Sequence, residues 1–268
     1  MSAKKSADKR ALLSLFDKTG SETFAAKLIE RGFDIISSGG TAKYLSERGI
    51  AVTDIAEITG YGPVLDHRVV TLAPQIHGAL LATPEMYTEL EELGWKTIDL
   101  LYVTFYPLEE ELARPEATFA SCIKKTDIGG PTLIRSANKG GNVIVMTDRE
   151  DEGSVIEWID AGSLDRSKFL FNLRAKAEVA AARYIGLSAR VYERFGYKAR
   201  TDFPKYMVKI GEKTVLLDLL AAGRAFNSMT APVRIRSTVI ENDLTCRQIT
   251  DEERKLISQL ADDYDASK

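Results

Sequence analysis

Phe33-Asp34-Ile35-Ile36-Ser37-Ser38-Gly39-Gly40-Thr41-Ala42-Lys43-Tyr44-Leu45 runs from a strand-like apolar segment, through a glycine turn, into a helix-like stretch. A helix start leaves several backbone N–H groups without intrahelical partners and carries roughly half a positive charge. Anions settle at such turns. The two glycines let the backbone take positive φ and come close to a ligand, while Ser38 and Thr41 bring hydroxyls that cap the helix or meet phosphate oxygens. Asp127-Ile128-Gly129-Gly130-Pro131-Thr132 has the same make-up. Either turn alone is more often an ordinary strand-to-helix connection than a phosphate site.

Outward from the first turn, short apolar runs alternate with amphipathic segments. Ala11 to Leu15 reads as a strand, Asp17-Lys18-Thr19-Gly20 as a turn, and Glu22 to Arg31 as a helix with Phe24, Ala25, Leu28 and Ile29 on one face. Ala51 to Thr53, Ala79 to Ala82, Ile98 to Phe105 and Asn142 to Met146 read as further strands, and Pro84 to Leu93 as helix. Strands separated by helix-length segments predict a parallel α/β sheet covered on both faces. Ligands of such sheets sit at the carboxyl ends of the strands, where both glycine turns are expected.

After Asp151 the texture becomes helical, with a long Ala-, Leu-, Arg- and Lys-rich stretch from Asp165 to Phe195. The expected organisation is a flexible N-terminus over residues 1–10, an α/β domain carrying the glycine turns over 11–150, a helical part of the same unit over 151–199, and a small β-containing extension of unknown role over 200–268.

The 268 residues, 44% hydrophobic, are enough for a full core, and a net charge of −3 gives no general attraction for nucleic acid or anionic membrane. Any anionic ligand must be held by local groups. Cys122 and Cys246 lie far apart without metal-ligand spacing, which predicts a reduced, cytoplasmic protein. No apolar run reaches the roughly 20 residues of a membrane span, and none follows Met1 to Arg10 as a signal peptide requires.

Polar groups near the turns are the candidates for chemistry: Asp17, Lys18, Arg68, Thr71, Tyr106, Asp127 and Lys139. A lysine with a depressed pKa moves protons, and a carboxylate beside it holds it or accepts one. Singly, each has a plain structural alternative as a surface charge, a cap or a strand end.

In order and at similar spacing, Asp17-Lys18-Thr19-Gly20, Ser38-Gly39-Gly40-Thr41-Ala42, Arg68-Val69-Val70-Thr71-Leu72, Ile76-His77-Gly78, Tyr106-Pro107 and Asp127-Ile128-Gly129-Gly130-Pro131-Thr132 resemble the cyclohydrolase half of the bifunctional AICAR transformylase/IMP cyclohydrolase family. The resemblance covers roughly residues 10 to 195. It implies a methylglyoxal-synthase-like fold, closure of the formylated carboxamide ribonucleotide FAICAR to IMP, no metal or organic cofactor, and an intertwined homodimer. It also implies substrate contacts at Asp17, Lys18, Ser38, Gly39, Gly40, Thr41, Arg68, Thr71, Ile128, Gly129 and Gly130. Lys139 corresponds to the family's proton-transferring lysine, with Asp127 and Tyr106 assisting.

The chain departs from that pattern at Val70 and Ala73, where the family has Lys and His, and at Phe16, Thr104 and Gly140-Gly141. Loss of a charge-assisted hydrogen bond at Val70 removes about 1.5 to 3 kcal/mol. That is about 10- to 150-fold in rate or affinity. No transformylase string follows residue 195, so the expectation is a stand-alone cyclohydrolase. The alternative is a catalytically weakened nucleotide-binding or regulatory domain of the same fold; a methylglyoxal synthase is a weaker third reading.

Overall fold

A computed structural model describes residues 9–66 and 68–196 in full and, beyond them, the backbone of three short strands. Most of the expected C-terminal extension, residues 1–8, His67 and Cys246 lie outside the described residues. Lys9 and Arg10, placed by the sequence in a flexible terminus, already belong to β1 (Lys9–Ser14).

The chain continues through α1 (Ser21–Glu30), β2 (Phe33–Ser37), α2 (Gly39–Ser46), β3 (Thr53–Asp54), α3 (Ile55–Thr59), α4 (Pro74–Leu81), α5 (Tyr87–Glu92) and β4 (Leu100–Val103). It then forms α6 (Leu108–Ala113), α7 (Phe119–Lys124), α8 (Gly129–Gly140), β5 (Ile144–Met146), α9 (Asp151–Asp160) and α10 (Arg166–Arg194). Five strands form one sheet in the order β3-β2-β1-β4-β5. Every pair is parallel.

Alternation along the strands builds two cores, because successive side chains of a strand point to opposite faces. Ala11, Leu13, Phe33, Ile35, Leu100, Tyr102, Ile144 and Met146 face one layer, where Phe24 and Leu28 of α1 and Val155 of α9 cover them. Leu12, Ile36, Leu101, Val103, Val143 and Val145 face the other, under Ile76 and Leu80 of α4 and Leu133 and Ile134 of α8. Helix α10 joins both layers, with Leu170 and Leu173 in the first and Ala177 and Ala181 in the second. The helices thus lie on both faces, as the periodicity predicts.

Two further readings differ from the structure. Ala79 to Ala82 is not a strand: Ala79 to Leu81 form the last turn of α4, which begins with Pro74 in its first turn. A four-residue apolar run looks alike in a buried strand and a buried helix, and proline at a helix start was the deciding signal. Ile29, placed on the buried face of α1, is 38% exposed.

The chain divides into two compact units, residues 1–107 with 125–181, and residues 108–124 with 182–268. In the second unit Arg114 pairs with Glu111 and Glu116, Arg183 with Glu109, and Phe119 meets Tyr192 edge to face. Its strands β6 (Tyr206–Ile210), β7 (Lys213–Leu217) and β8 (Ile235–Arg236) form an antiparallel sheet in the order β7-β6-β8. The candidate site belongs wholly to the first unit.

Candidate functional site

Strand order reverses its direction of growth between β1 and β4, since β2 and β3 add on one side of β1 and β5 on the far side of β4. A crevice opens at the carboxyl ends of two strands that diverge in this way. The backbone there is stitched across: Thr104 N–H donates to Ser14 C=O at 3.1 Å, and Phe16 N–H donates to Thr104 Oγ1 at 2.8 Å.

On the β1 side stands the first glycine turn. Ser38 caps α2 in extended conformation without a side-chain hydrogen bond, and Gly39 takes φ +48, so a residue without Cβ is favoured there. The Lys18 side chain lies alongside: a carbon added to Gly40 would stand 3.4 Å from Lys18 Cε and 3.8 Å from Nζ. Lys18 Nζ donates to Phe16 C=O at 2.9 Å. Partial burial pulls the Lys18 ammonium below its ordinary pKa, against the pull of Asp17. Asp17 accepts from Thr19 N–H at 3.0 Å, which holds its carboxyl below the usual value. Thr41 is buried, and its hydroxyl is occupied at the strand end, accepting from Leu15 N–H at 3.2 Å and donating to Leu15 C=O at 3.0 Å.

On the β4 side stands the second turn, at the start of α8. Asp127 Oδ1 accepts from Gly130 N–H at 3.0 Å. A side-chain carbon on Gly130 would fall 2.6 Å from Asp127 Oδ2, 3.0 Å from Val103 Cγ1 and 3.2 Å from Phe105 Cδ1. Only glycine admits this approach. Buried Thr71 likewise crowds Gly129, with Oγ1 2.9 Å from the position a Cβ would take. Burial pushes the Asp127 carboxyl up from its ordinary value, outweighing the hydrogen bonds from Gly130 and Gly129. Tyr106 is pushed up as well, first by burial and then by the charge of Asp127.

The structure therefore brings together Asp17, Lys18, Ser38, Gly39, Gly40 and Thr41 on one side of the switch point, and Thr71, Tyr106, Asp127, Ile128, Gly129 and Gly130 on the other. Arg68 lies exposed on a turn closed by the Val64 to Val69 bridge, in which Leu65 and Asp66 take φ of 53 and 54. Lys139 does not join the group within this chain. It lies exposed ten residues beyond Gly129 on α8, about 15 Å along the axis at 1.5 Å per residue.

Sequence reading missed a neighbouring feature, a cavity of about 220 Å³ lined by Asp17, Thr19, Tyr102, Thr104, Arg149 and Glu152 among others. Arg149 presses on Gly20, where an added carbon would lie 1.9 Å from its guanidinium. Burial and Glu152 push the Tyr102 phenol well above its ordinary value. The available signal was position: Thr147-Asp148-Arg149 leaves the carboxyl end of β5 at the same sheet edge.

Sheet, helices and crevice define an α/β domain of the MGS-like kind, and residues 20–132 match the MGS-like domain family. The chain is also similar to the bifunctional purine biosynthesis protein PurH. It is 42% identical to PurH of Bacillus cereus (strain AH820) over 187 residues, covering 69% of this chain and 34% of that protein. Against PurH of Neisseria meningitidis serogroup A the identity is 43% over 185 residues, covering 67% and 35%. The chain thus spans about a third of the length of these relatives. Among solved structures, that of ForH superposes with a TM-score of 0.64 at 29% identity, covering 71% of this chain and all of that one. No helix among the described residues is long and apolar enough to cross a membrane.

Proposed function

We propose that this chain is an IMP cyclohydrolase of purine biosynthesis, closing FAICAR to IMP with loss of water. The observation that carries the reading is the raised carboxyl of Asp127, fixed by Gly130 N–H and adjoining the Tyr106 phenol, across the switch point from a helix start flanked by Lys18. Similarity to PurH over 187 residues, and the match of residues 20–132 to the MGS-like domain family, support it.

In this reading the 5′-phosphate rests on the N–H groups of Gly39 and Gly40, with the Lys18 ammonium and Ser38 hydroxyl beside it. The base then extends toward Asp127 and Tyr106. Ring closure joins the carboxamide nitrogen to the formyl carbon. Asp127 takes the proton the nitrogen sheds, and the Tyr106 hydroxyl donates to the formyl oxygen as it gains charge. The tetrahedral carbinolamine then loses that oxygen as water: Asp127 returns its proton to the leaving hydroxyl, the formamido nitrogen gives its N–H to the Tyr106 oxygen, and its electron pair forms the C=N bond of the closed ring. A carboxyl raised by burial above its ordinary value is a stronger base than an ordinary aspartate. Holding the two reacting groups face to face supplies much of the remaining acceleration.

Proton transfer by Lys139 requires a second copy of the chain, because its own α8 holds it about 15 Å from the glycine turn. A homodimer is accordingly part of the proposal, with no metal or organic cofactor, a cytoplasmic location and a purine ribonucleotide as ligand. Nucleotide binding without turnover is the second reading, favoured by the uncharged Val70 beside Thr71.

Incubating the purified protein with FAICAR while following IMP tests the two. Conversion that falls by orders of magnitude in Asp127→Asn supports the enzyme. No conversion above the uncatalysed rate, with IMP still bound, leaves the binding domain.

A further inference from the structure

Between the two halves of the crevice lies an aromatic surface of which the proposed chemistry uses only the Tyr106 hydroxyl. Phe16 and Tyr106 meet edge to face with ring centroids 5.6 Å apart and planes at 84°. Both rings remain open to solvent, Phe16 by 39% and Tyr106 by 43%, and Ile128 next to Asp127 by 56%. Large apolar side chains left uncovered at the mouth of a polar crevice mark a ligand surface more often than a packing surface. Lys125 Nζ stands over the Phe16 ring, 5.5 Å from its centroid. That is within the range where the ring's negative face attracts a cation. Lys18 reaches the same residue from the other strand end through its bond to Phe16 C=O, so Phe16 joins the phosphate side to the Asp127 side.

We propose that Phe16 and Lys125 form the base-binding platform of this site. The open part of the Phe16 ring, continued by Tyr106, packs against a purine base. The Lys125 ammonium meets the oxygen-bearing edge of that base, held in place by the ring beneath it. The ligand class is a purine nucleoside monophosphate, recognised by its base here and by its phosphate at α2. This rests on the reading that a nucleotide occupies the crevice, and it does not depend on turnover.

The two contacts separate by choice of ligand. IMP carries both base and phosphate; ribose 5-phosphate carries only the phosphate arm. Calorimetric binding of each is measured for the wild type, Phe16→Ser, Lys125→Gln and Lys125→Arg, with Lys124→Gln as a control for general charge. The expected result is IMP affinity about tenfold weaker in Phe16→Ser and Lys125→Gln, and substantially recovered in Lys125→Arg. Ribose 5-phosphate affinity should stay within about twofold of wild type in all of them, which also shows that the variants are folded with α2 intact. Equal weakening toward both ligands, or unchanged IMP binding in Lys125→Gln, overturns the platform. So does a wild type that binds no IMP. Tight IMP binding with this pattern but no FAICAR conversion removes the enzyme reading and leaves the platform standing.

Discussion

The Asp127 carboxylate grips Gly130 so closely that one oxygen accepts its N–H at 3.0 Å while the other lies 2.6 Å from where a Cβ would begin. Gly130→Ala would force the carboxylate off the helix start and press on Val103 and Phe105 of the β4 end. We expect a loss of about 1 to 3 kcal/mol in stability, as for other overpacked sites, and a large fall in FAICAR conversion. Urea denaturation together with the IMP assay checks it; an alanine variant of full stability and activity would show that the close approach is not needed.

A second expectation concerns pH. Burial raises the folded pKa of Asp127 above the 3.8 of an ordinary aspartate, so between those two values the folded chain binds more protons than the unfolded one. Stability from this group therefore falls as pH climbs through that window, and its burial penalty is fully present above the folded pKa. Asp127→Asn should remove this slope and leave the fold as stable as wild type or more so at neutral pH, while abolishing turnover. Unfolding curves across pH 3 to 8 read the first effect. A variant that loses stability equally at every pH would contradict the assignment.

Gly140, one of the positions where the chain departs from the family pattern, has a structural account. A side-chain carbon there would lie 2.1 Å from Leu80 C=O and 2.9 Å from the Leu81 backbone, atoms that cannot swing aside. Helix α8 ends against the last turn of α4 with backbone nearly touching backbone. Gly140→Ala should therefore cost about 3 kcal/mol or more, whereas alanine at Gly153, which has open space around it, should be nearly neutral. Comparing the two melting temperatures decides it.

If Lys139 serves the crevice of a second copy, two inactive variants should restore one another. Asp127→Asn and Lys139→Ala, each poorly active alone, are expected to recover up to about a quarter of wild-type activity when mixed and refolded together, because one crevice in a random mixed dimer receives both native residues. Failure to recover activity, in a mixture shown by mass to contain dimers, would exclude Lys139 from the partner's chemistry.

Much of this architecture was legible in the chain. Leu100–Val103 is buried at every position and Phe33–Ser37 at every position but Asp34, and strands buried on both faces read as nearly continuous apolar segments. The glycine pairs were legible because glycine is favoured at the φ of +48 of Gly39, and only glycine admits the Asp127 approach at Gly130. What failed was local length. Ala79 to Leu81 offers no period to distinguish helix from strand, and α3 is a five-residue helix held by the reciprocal caps of Asp54 and Glu57 rather than by an apolar stripe. Spacing along α8 likewise places Lys139 on the face of Thr132, but at 1.5 Å per residue it also sets Lys139 about 15 Å from Gly129. The Arg149 and Glu152 cluster gave only a positional signal, the exit of Thr147-Asp148-Arg149 from β5, because its partners arrive from β1 and β4, far away in sequence.

The stitch between Phe16 N–H and Thr104 Oγ1 joins residues 88 positions apart. Contacts that close so long a loop are the slow ones to form in folding. Because the crevice lies across that seam, neither half of the sheet offers a partial site: β1 with the first glycine turn is half a receptor until β4 has docked beside it. A bound nucleotide would then act as a latch on the last major strand pairing, and its arrival would report completion of the domain.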